Sequence, residues 1–238
     1  MALGMDSLNP LQSHSSRVYR IHVLGAESTG KSTLVETLAQ LLRKHQGEVI
    51  GVPEGLRAWV AQQGRTPHAA EQLALADAQE QAIAQACFAL TQHPNPMRWV
   101  LADTSPFMTA AYSAHYFNDD SLWARATDFE STADLRLLMG LDLPWQADGA
   151  QRDGPAHQTA VDRLLRDTLQ DKRLPFTVIY GQGEARTQAA WRAVQAMLRA
   201  RHGAQTDGRE ATRRTWRAVC DCCADPACEL ALFTQRSA

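Results

Sequence analysis

Ahead of Cys220 the chain holds a single cysteine, Cys87, and the other four crowd between Cys220 and Cys228. That distribution excludes a spread disulfide framework and fits a compartment of reduced thiols. A surplus of either charge is also missing. Lys plus Arg number 24 against 26 Asp plus Glu, a net charge of −2, which excludes a general polyanion binder. No apolar run reaches the length of a membrane-spanning helix. Met1 to Ser16 have neither a basic stretch nor an apolar one, so they do not read as a secretory signal. Their Ser, Asn, Pro and His content marks a loose leader. These absences together point to a cytoplasmic address.

What is present is one short, dense signal. Gly25-Ala26-Glu27-Ser28-Thr29-Gly30-Lys31-Ser32-Thr33 fits G-x-x-x-x-G-K-[ST]. Val18 to Leu24 ahead of it alternates as a strand, and Leu34, Val35, Leu38, Leu41 and Leu42 behind it recur at helical spacing. Strand, glycine loop and helix place the unpaired N–H groups of a helix N-terminus around an anion. Gly25, Glu27, Ser28, Thr29, Gly30, Lys31, Ser32 and Thr33 are therefore the expected nucleotide-binding residues. Lys31 reaches the β- and γ-phosphates, and the Ser32 hydroxyl ligates Mg²⁺.

The remaining pattern alternates strands and helices, the mark of an α/β fold with a parallel sheet covered on both faces. Strands are expected at 48–53, 99–103, 135–141 and 175–180, which with the first makes a five-stranded P-loop NTPase sheet. Helices are expected at 54–63, from Pro67 to Gln92, near 107–117 and 122–130, at 158–172 with cations in its last turn, and at 184–202. Gly203 ends the periodic pattern. The expected organisation is a leader at 1–16, a P-loop kinase or ATPase domain at 17–203, and a basic, cysteine-rich extension at 204–238.

In open α/β sheets ligands sit outside the carboxyl ends of the strands. The second strand delivers Glu54 and, one turn later, Arg57. The third delivers Asp103-Thr104, and the fourth is followed by Trp145, Asp148 and Arg152. Asp103 has three readings: a ligand for Mg²⁺, a general base for an attacking hydroxyl, or a cap on the next helix. Its neighbour is Thr104 rather than a second acid, which argues for transfer to an acceptor and against an ATPase that activates water. Arg152 lies in a polar loop with Gly149 and Gly154, either placed to close over a transferring phosphoryl group or part of a solvated charged loop. Asp148 binds either that arginine or the acceptor. Glu54 and Arg57, spaced i, i+3, make either a surface ion pair or a grip on acceptor hydroxyls. Gln72, Asp77 and Gln81 either border an acceptor cavity or face solvent.

Taken together these segments resemble the ribosylnicotinamide kinase domain of the NadR-type NAD-biosynthesis regulators, within the small AAA-labelled P-loop ATPases. The resemblance rests on Gly25–Thr33, Glu54-x-x-Arg57, Asp103-Thr104 and Pro144-Trp145-x-x-Asp148-Gly149-x-x-Arg152. It spans roughly residues 17 to 200. It implies a nucleoside-kinase-like sheet, ATP with Mg²⁺ on Ser32 and Asp103, and γ-phosphoryl transfer to a ribosyl 5′-hydroxyl. Lys31, Asp103 and Arg152 are then catalytic, and Glu54, Arg57, Trp145 and Asp148 bind substrate. Two positions depart from the family: Ala58, where an acid is usual, and Ser105-Pro106, where a second Asp often stands. The expected partner is a small nucleoside-like molecule, neither nucleic acid nor membrane.

In the tail, Cys220, Cys222, Cys223 and Cys228 supply thiols enough for a tetrahedral Zn²⁺, although the usual C-x₂-C pairs are missing. Redox-active or buried thiols are the alternative. The competing functional reading is a nucleotide-dependent switch whose tail contacts a partner.

Overall fold

Seven residues, Val18–Leu24, form the first strand (β1), and all but two of them are buried. A strand hidden on both faces belongs in the middle of a parallel sheet, and β1 lies there. The computed structural model describes residues 17–146 and 154–206, the side chains of 202–206 excepted. After β1 come α1 (Lys31–Lys44), β2 (Glu48–Val52), α2 (Gly55–Gln63), a single 3₁₀ turn at Ala69–Glu71, and α3 (Gln72–Thr91). Then follow β3 (Arg98–Asp103), α4 (Pro106–Phe117), α5 (Trp123–Glu130), β4 (Leu135–Met139), α6 (Pro155–Asp171), β5 (Thr177–Ile179) and α7 (Gly183–Thr206). The five strands run in the order β2-β3-β1-β4-β5, and every pairing is parallel. The described residues up to Ala200 belong to one compact unit; the last residues of α7, from Arg201, belong to another.

Alternation along the strands sorts the core. Ile21, Val23, Leu101 and Leu137 pack with Leu38 and Leu42 of α1 and Val194 and Leu198 of α7. On the opposite face Leu24 and Leu138 meet Phe107 of α4 and Val161 and Leu165 of α6. Val100 and Ala102 meet Ile83 and Leu90 of α3. Each fully buried side chain of this size contributes about 1.5–3 kcal/mol.

His22 takes an inward position on that second face, and its partner decides what it does there. Glu130, the last residue of α5, is fully buried. Its carboxylate accepts from His22 Nδ1 at 3.0 and 3.1 Å and from Ser105 Oγ at 2.5 Å. Arg136 of β4 stands 3.3 Å away and donates to the Glu130 and Pro175 carbonyls. Burial raises the Glu130 pKa, but His22, Ser105 and Arg136 together outweigh it and hold the carboxyl below its ordinary value. One carboxylate thus ties together β1, β4 and the turn after β3.

Several boundaries differ from the sequence expectation. The long helix starts at Gln72, not at Pro67. Arg65 and the His68 N–H hold the Glu71 carboxylate in a separate capped turn, and the Arg65 contact is the main cause of its pKa falling to about 2. Helix α6 begins at Pro155, where a missing N–H costs nothing. Lys172 is its cap residue, so its last turn carries no cation. Helix α7 continues through Gly203 to Thr206, since one interior glycine costs only about 1 kcal/mol. The leader at 1–16 and nearly all of the extension at 204–238 lie outside the described residues, the latter with Cys220, Cys222, Cys223 and Cys228. No helix among the described residues is long and apolar enough to cross a membrane.

Candidate active site

Central placement of β1 puts the glycine loop over the middle of the sheet, with Val23 in register with Asp103 of β3. The loop turns back between the two strand ends, and its glycines allow that path. Gly25 sits at φ +150°, and a Cβ there would stand 2.8 Å from Met139 Cβ. Gly30, the residue before α1, is left-handed at φ +76°. Ser28 is left-handed as well, at φ +56°. Such alternation aims successive N–H groups into one concavity.

The loop is braced from three directions. Thr29 Oγ1 donates to the Ala26 carbonyl at 2.7 Å. Gln158 of α6 donates to the Glu27 carbonyl at 2.7 Å. Ser28 Oγ donates to the Gln146 carbonyl at 2.8 Å, which ties the loop to the segment after β4. Lys31 is 7% exposed and its ammonium donates to the Ala26 carbonyl at 3.0 Å, folded over the loop it serves.

Ser32 and Asp103 are brought together. The Ser32 hydroxyl donates to Asp103 Oδ2 at 2.5 Å, while Oδ1 is buried with no hydrogen-bond partner. A carboxylate with an open acceptor beside a hydroxyl is a hard-oxygen donor set of the kind Mg²⁺ takes with the help of phosphate oxygens and water. The residues present therefore fit that ion. Asp103 does not cap the following helix. Ser105 does so, accepting from the Phe107 N–H.

Two adjoining cavities of about 540 Å³ open around the loop and share Gly30, Thr33 and Leu143. One is polar and lined by Ser28 to Thr33 together with Arg57 and Gln182. The other lies between α1 and α7, with Thr37, Leu41 and Thr187 on its walls. Arg57 therefore faces the phosphate loop. It also stands 3.5 Å from Glu54 with most of its side chain exposed, and such a pair contributes under about 1 kcal/mol. The Trp145 indole N–H, just beyond this cavity, is buried without a hydrogen-bond partner. Asp148 and Arg152 lie outside the described residues.

Among the helix α3 residues named from sequence, Asp77 pairs with Arg125, Gln81 is exposed and Gln72 is buried. The polar side chain that reaches the strand ends is Gln79, which sequence reasoning missed. Its signal was present: Leu75, Ala76, Gln79, Ile83 and Cys87 mark the buried stripe of α3, and an amide stands where an apolar residue belongs.

Residues 20–186 match a family model described as an AAA domain, AAA_28. No curated protein sequence matches the chain. Among solved structures the fold is similar to a NadR protein in complex with NAD and AMP-PNP, at 17% identity and TM-score 0.57, over 84% of this chain and 52% of that one. It is similar to NadR in complex with NR, at 17% identity and TM-score 0.61, over 83% and 53%. A thymidylate kinase from Ehrlichia chaffeensis matches at 15% identity and TM-score 0.56, over 76% of this chain and 99% of that one. The chain thus spans about half the length of the NadR chains. The architecture is that of the P-loop kinases, and the chain belongs to the AAA_28 family of AAA domains.

Proposed function

We propose that this protein transfers the γ-phosphoryl group of ATP to a hydroxyl of a small nucleoside-like acceptor. The observation that carries this reading is the 2.5 Å contact between Ser32 of the phosphate loop and Asp103 at the end of the neighbouring strand. It sets a phosphate cradle and an unsaturated carboxylate at one point. Thr104 supports transfer over hydrolysis, because no second acid stands beside Asp103 to activate water.

In this reading the loop N–H groups and Lys31 hold the β- and γ-phosphates. The ammonium leaves the Ala26 carbonyl for the phosphate oxygens, a charge-assisted exchange that favours the anion. Ser32 and Asp103 hold Mg²⁺, which when bound spreads the charge of the β- and γ-oxygens. Where Asp103 does not hold the ion itself, it orients the acceptor hydroxyl and receives its proton. Arg57 attends the phosphates from the open side, and Glu54 and Trp145 face the acceptor. Arg152 is assigned to the charge of the transferring phosphoryl group, and Asp148 to that arginine or the acceptor. The cavity between α1 and α7 takes the base of the donor. The NadR complexes, one with NAD and AMP-PNP and one with NR, support ATP as donor and a ribosyl nucleoside of the NR kind as acceptor; we assign the step to NAD biosynthesis in the cytoplasm.

Thermal shift of the full chain tests the pairing of donor and acceptor. AMP-PNP with Mg²⁺ is expected to raise Tm, and nicotinamide riboside is expected to add a further rise. At 100 times its Kd, a ligand contributes about 2.7 kcal/mol. A rise with nucleotide that neither nicotinamide riboside nor any nucleoside of a panel extends would favour the switch reading instead.

A further inference from the structure

The turn that carries Asp103 is strained. Thr104 sits at φ +72°, a left-handed position that a β-branched residue occupies only when its surroundings force it. Three elements hold that turn. From β1, the Val23 carbonyl accepts from the Thr104 N–H at 3.1 Å. From α5, Glu130 takes the Ser105 hydroxyl. From α3, Gln79 Nε2 donates to the Thr104 carbonyl at 3.2 Å.

Gln79 does more than this one contact. The same Nε2 donates to the Pro53 carbonyl at 3.3 Å, and Oε1 accepts from the Gly55 N–H at 2.9 Å. The amide therefore grips the backbone on both sides of Glu54 and the backbone just after Asp103. It is 4% exposed, and each of its polar atoms is spent on main chain. A buried amide with every bond made is rigid, and an apolar replacement would leave three backbone groups unsatisfied.

We propose that Gln79 is a positioning residue: it offsets the strain at Thr104 and fixes the end of β2 against the end of β3, so that the Asp103 carboxylate stays on Ser32. It lines neither of the two cavities at the phosphate loop. This rests on the metal role given to Asp103 above. Helix α3 thereby sets the spacing between the acceptor side, at Glu54, and the metal side, at Asp103.

The test is Gln79→Met in the full chain, read as the ATP Kd by calorimetry with Mg²⁺ and with EDTA. Gln79→Met is expected to weaken binding about tenfold with Mg²⁺ and to leave it unchanged with EDTA. Adding Thr104→Gly, which adopts positive φ without strain, is expected to recover only the part of that loss that comes from the turn. Should Gln79→Met not fold, Gln79→Asn, one methylene shorter, carries the same expectation. Equal weakening with and without Mg²⁺, or unchanged binding in Gln79→Met under both conditions, overturns the assignment. A wild-type chain that binds ATP equally with Mg²⁺ and with EDTA overturns the metal role of Asp103 instead.

Discussion

Asp103→Asn is expected to slow phosphoryl transfer by roughly 10²- to 10⁴-fold while the fold stays intact. The substitution keeps the shape and still accepts a hydrogen bond from Ser32, now 2.5 Å from Oδ2. It removes the negative charge that holds a hard cation or, in the alternative role, the basicity that takes a proton from the acceptor. Binding of ATP in EDTA should change little, because the loop N–H groups and Lys31 are untouched. Lys31→Ala should do the reverse and weaken the nucleotide whether or not Mg²⁺ is present. An Asp103→Asn chain that transfers label at a rate within threefold of wild type would remove the aspartate from the mechanism.

Glu130→Ala is expected to destabilise the protein by about 3–5 kcal/mol, because it strands Arg136 as a buried charge without its partner. For a chain of this size that is a fall in Tm of roughly 6–20 °C. The neighbours make relief difficult: His22 is fully buried, Ser105 nearly so, and both lose their acceptor. Glu130→Gln keeps the shape and should cost less. The charge also leaves a signature in pH. The folded-state pKa of Glu130 is lowered, so its stabilisation is complete above the ordinary carboxylate range and is lost as pH falls through that range toward the folded value. Glu130→Gln should remove this part of the acid destabilisation. Urea midpoints for both variants between neutral and acid pH check the point. A Glu130→Ala loss below about 1 kcal/mol, or an unchanged acid slope in Glu130→Gln, would contradict the network described here.

Much of the site was legible because its signals are local. The phosphate loop is a run of adjacent residues between an alternating strand and a helical period, and Asp103 ends an apolar strand. Glycines at 25 and 30 mark two of the three points where the loop takes positive φ, and Ser28 is the third. What stayed hidden involves partners far apart in sequence. Gln79 meets Pro53, Gly55 and Thr104 across 24 to 26 residues, and Glu130 meets His22 across 108. No period or motif links such pairs; only the order of the strands brings them together. His22 reads as one more residue of an alternating strand until that order shows which face it takes. Thr104 carries no local mark of its positive φ, since β-branched residues ordinarily avoid it. The helix ends shifted for nearer reasons, as with Glu71, whose carboxylate is held by Arg65.

The Glu54–Arg57 pair has an exposed partner, Arg57, and a largely covered one, Glu54. Spacing i, i+3 allowed either a surface ion pair or a grip on acceptor hydroxyls, and the fold adds that Arg57 lines the phosphate cavity. Sequence supplied the pairing, and the fold supplied its direction.

The central claim is that the phosphoryl group goes to a hydroxyl and not to water. Wild-type chain, Mg²⁺ and ATP labelled at the γ-position, run in single turnover with nicotinamide riboside and a panel of nucleosides, test it most directly. The expected result is label on an acceptor, formed faster than free phosphate in the same tube. Label found only as inorganic phosphate, at a rate no acceptor changes, would contradict it.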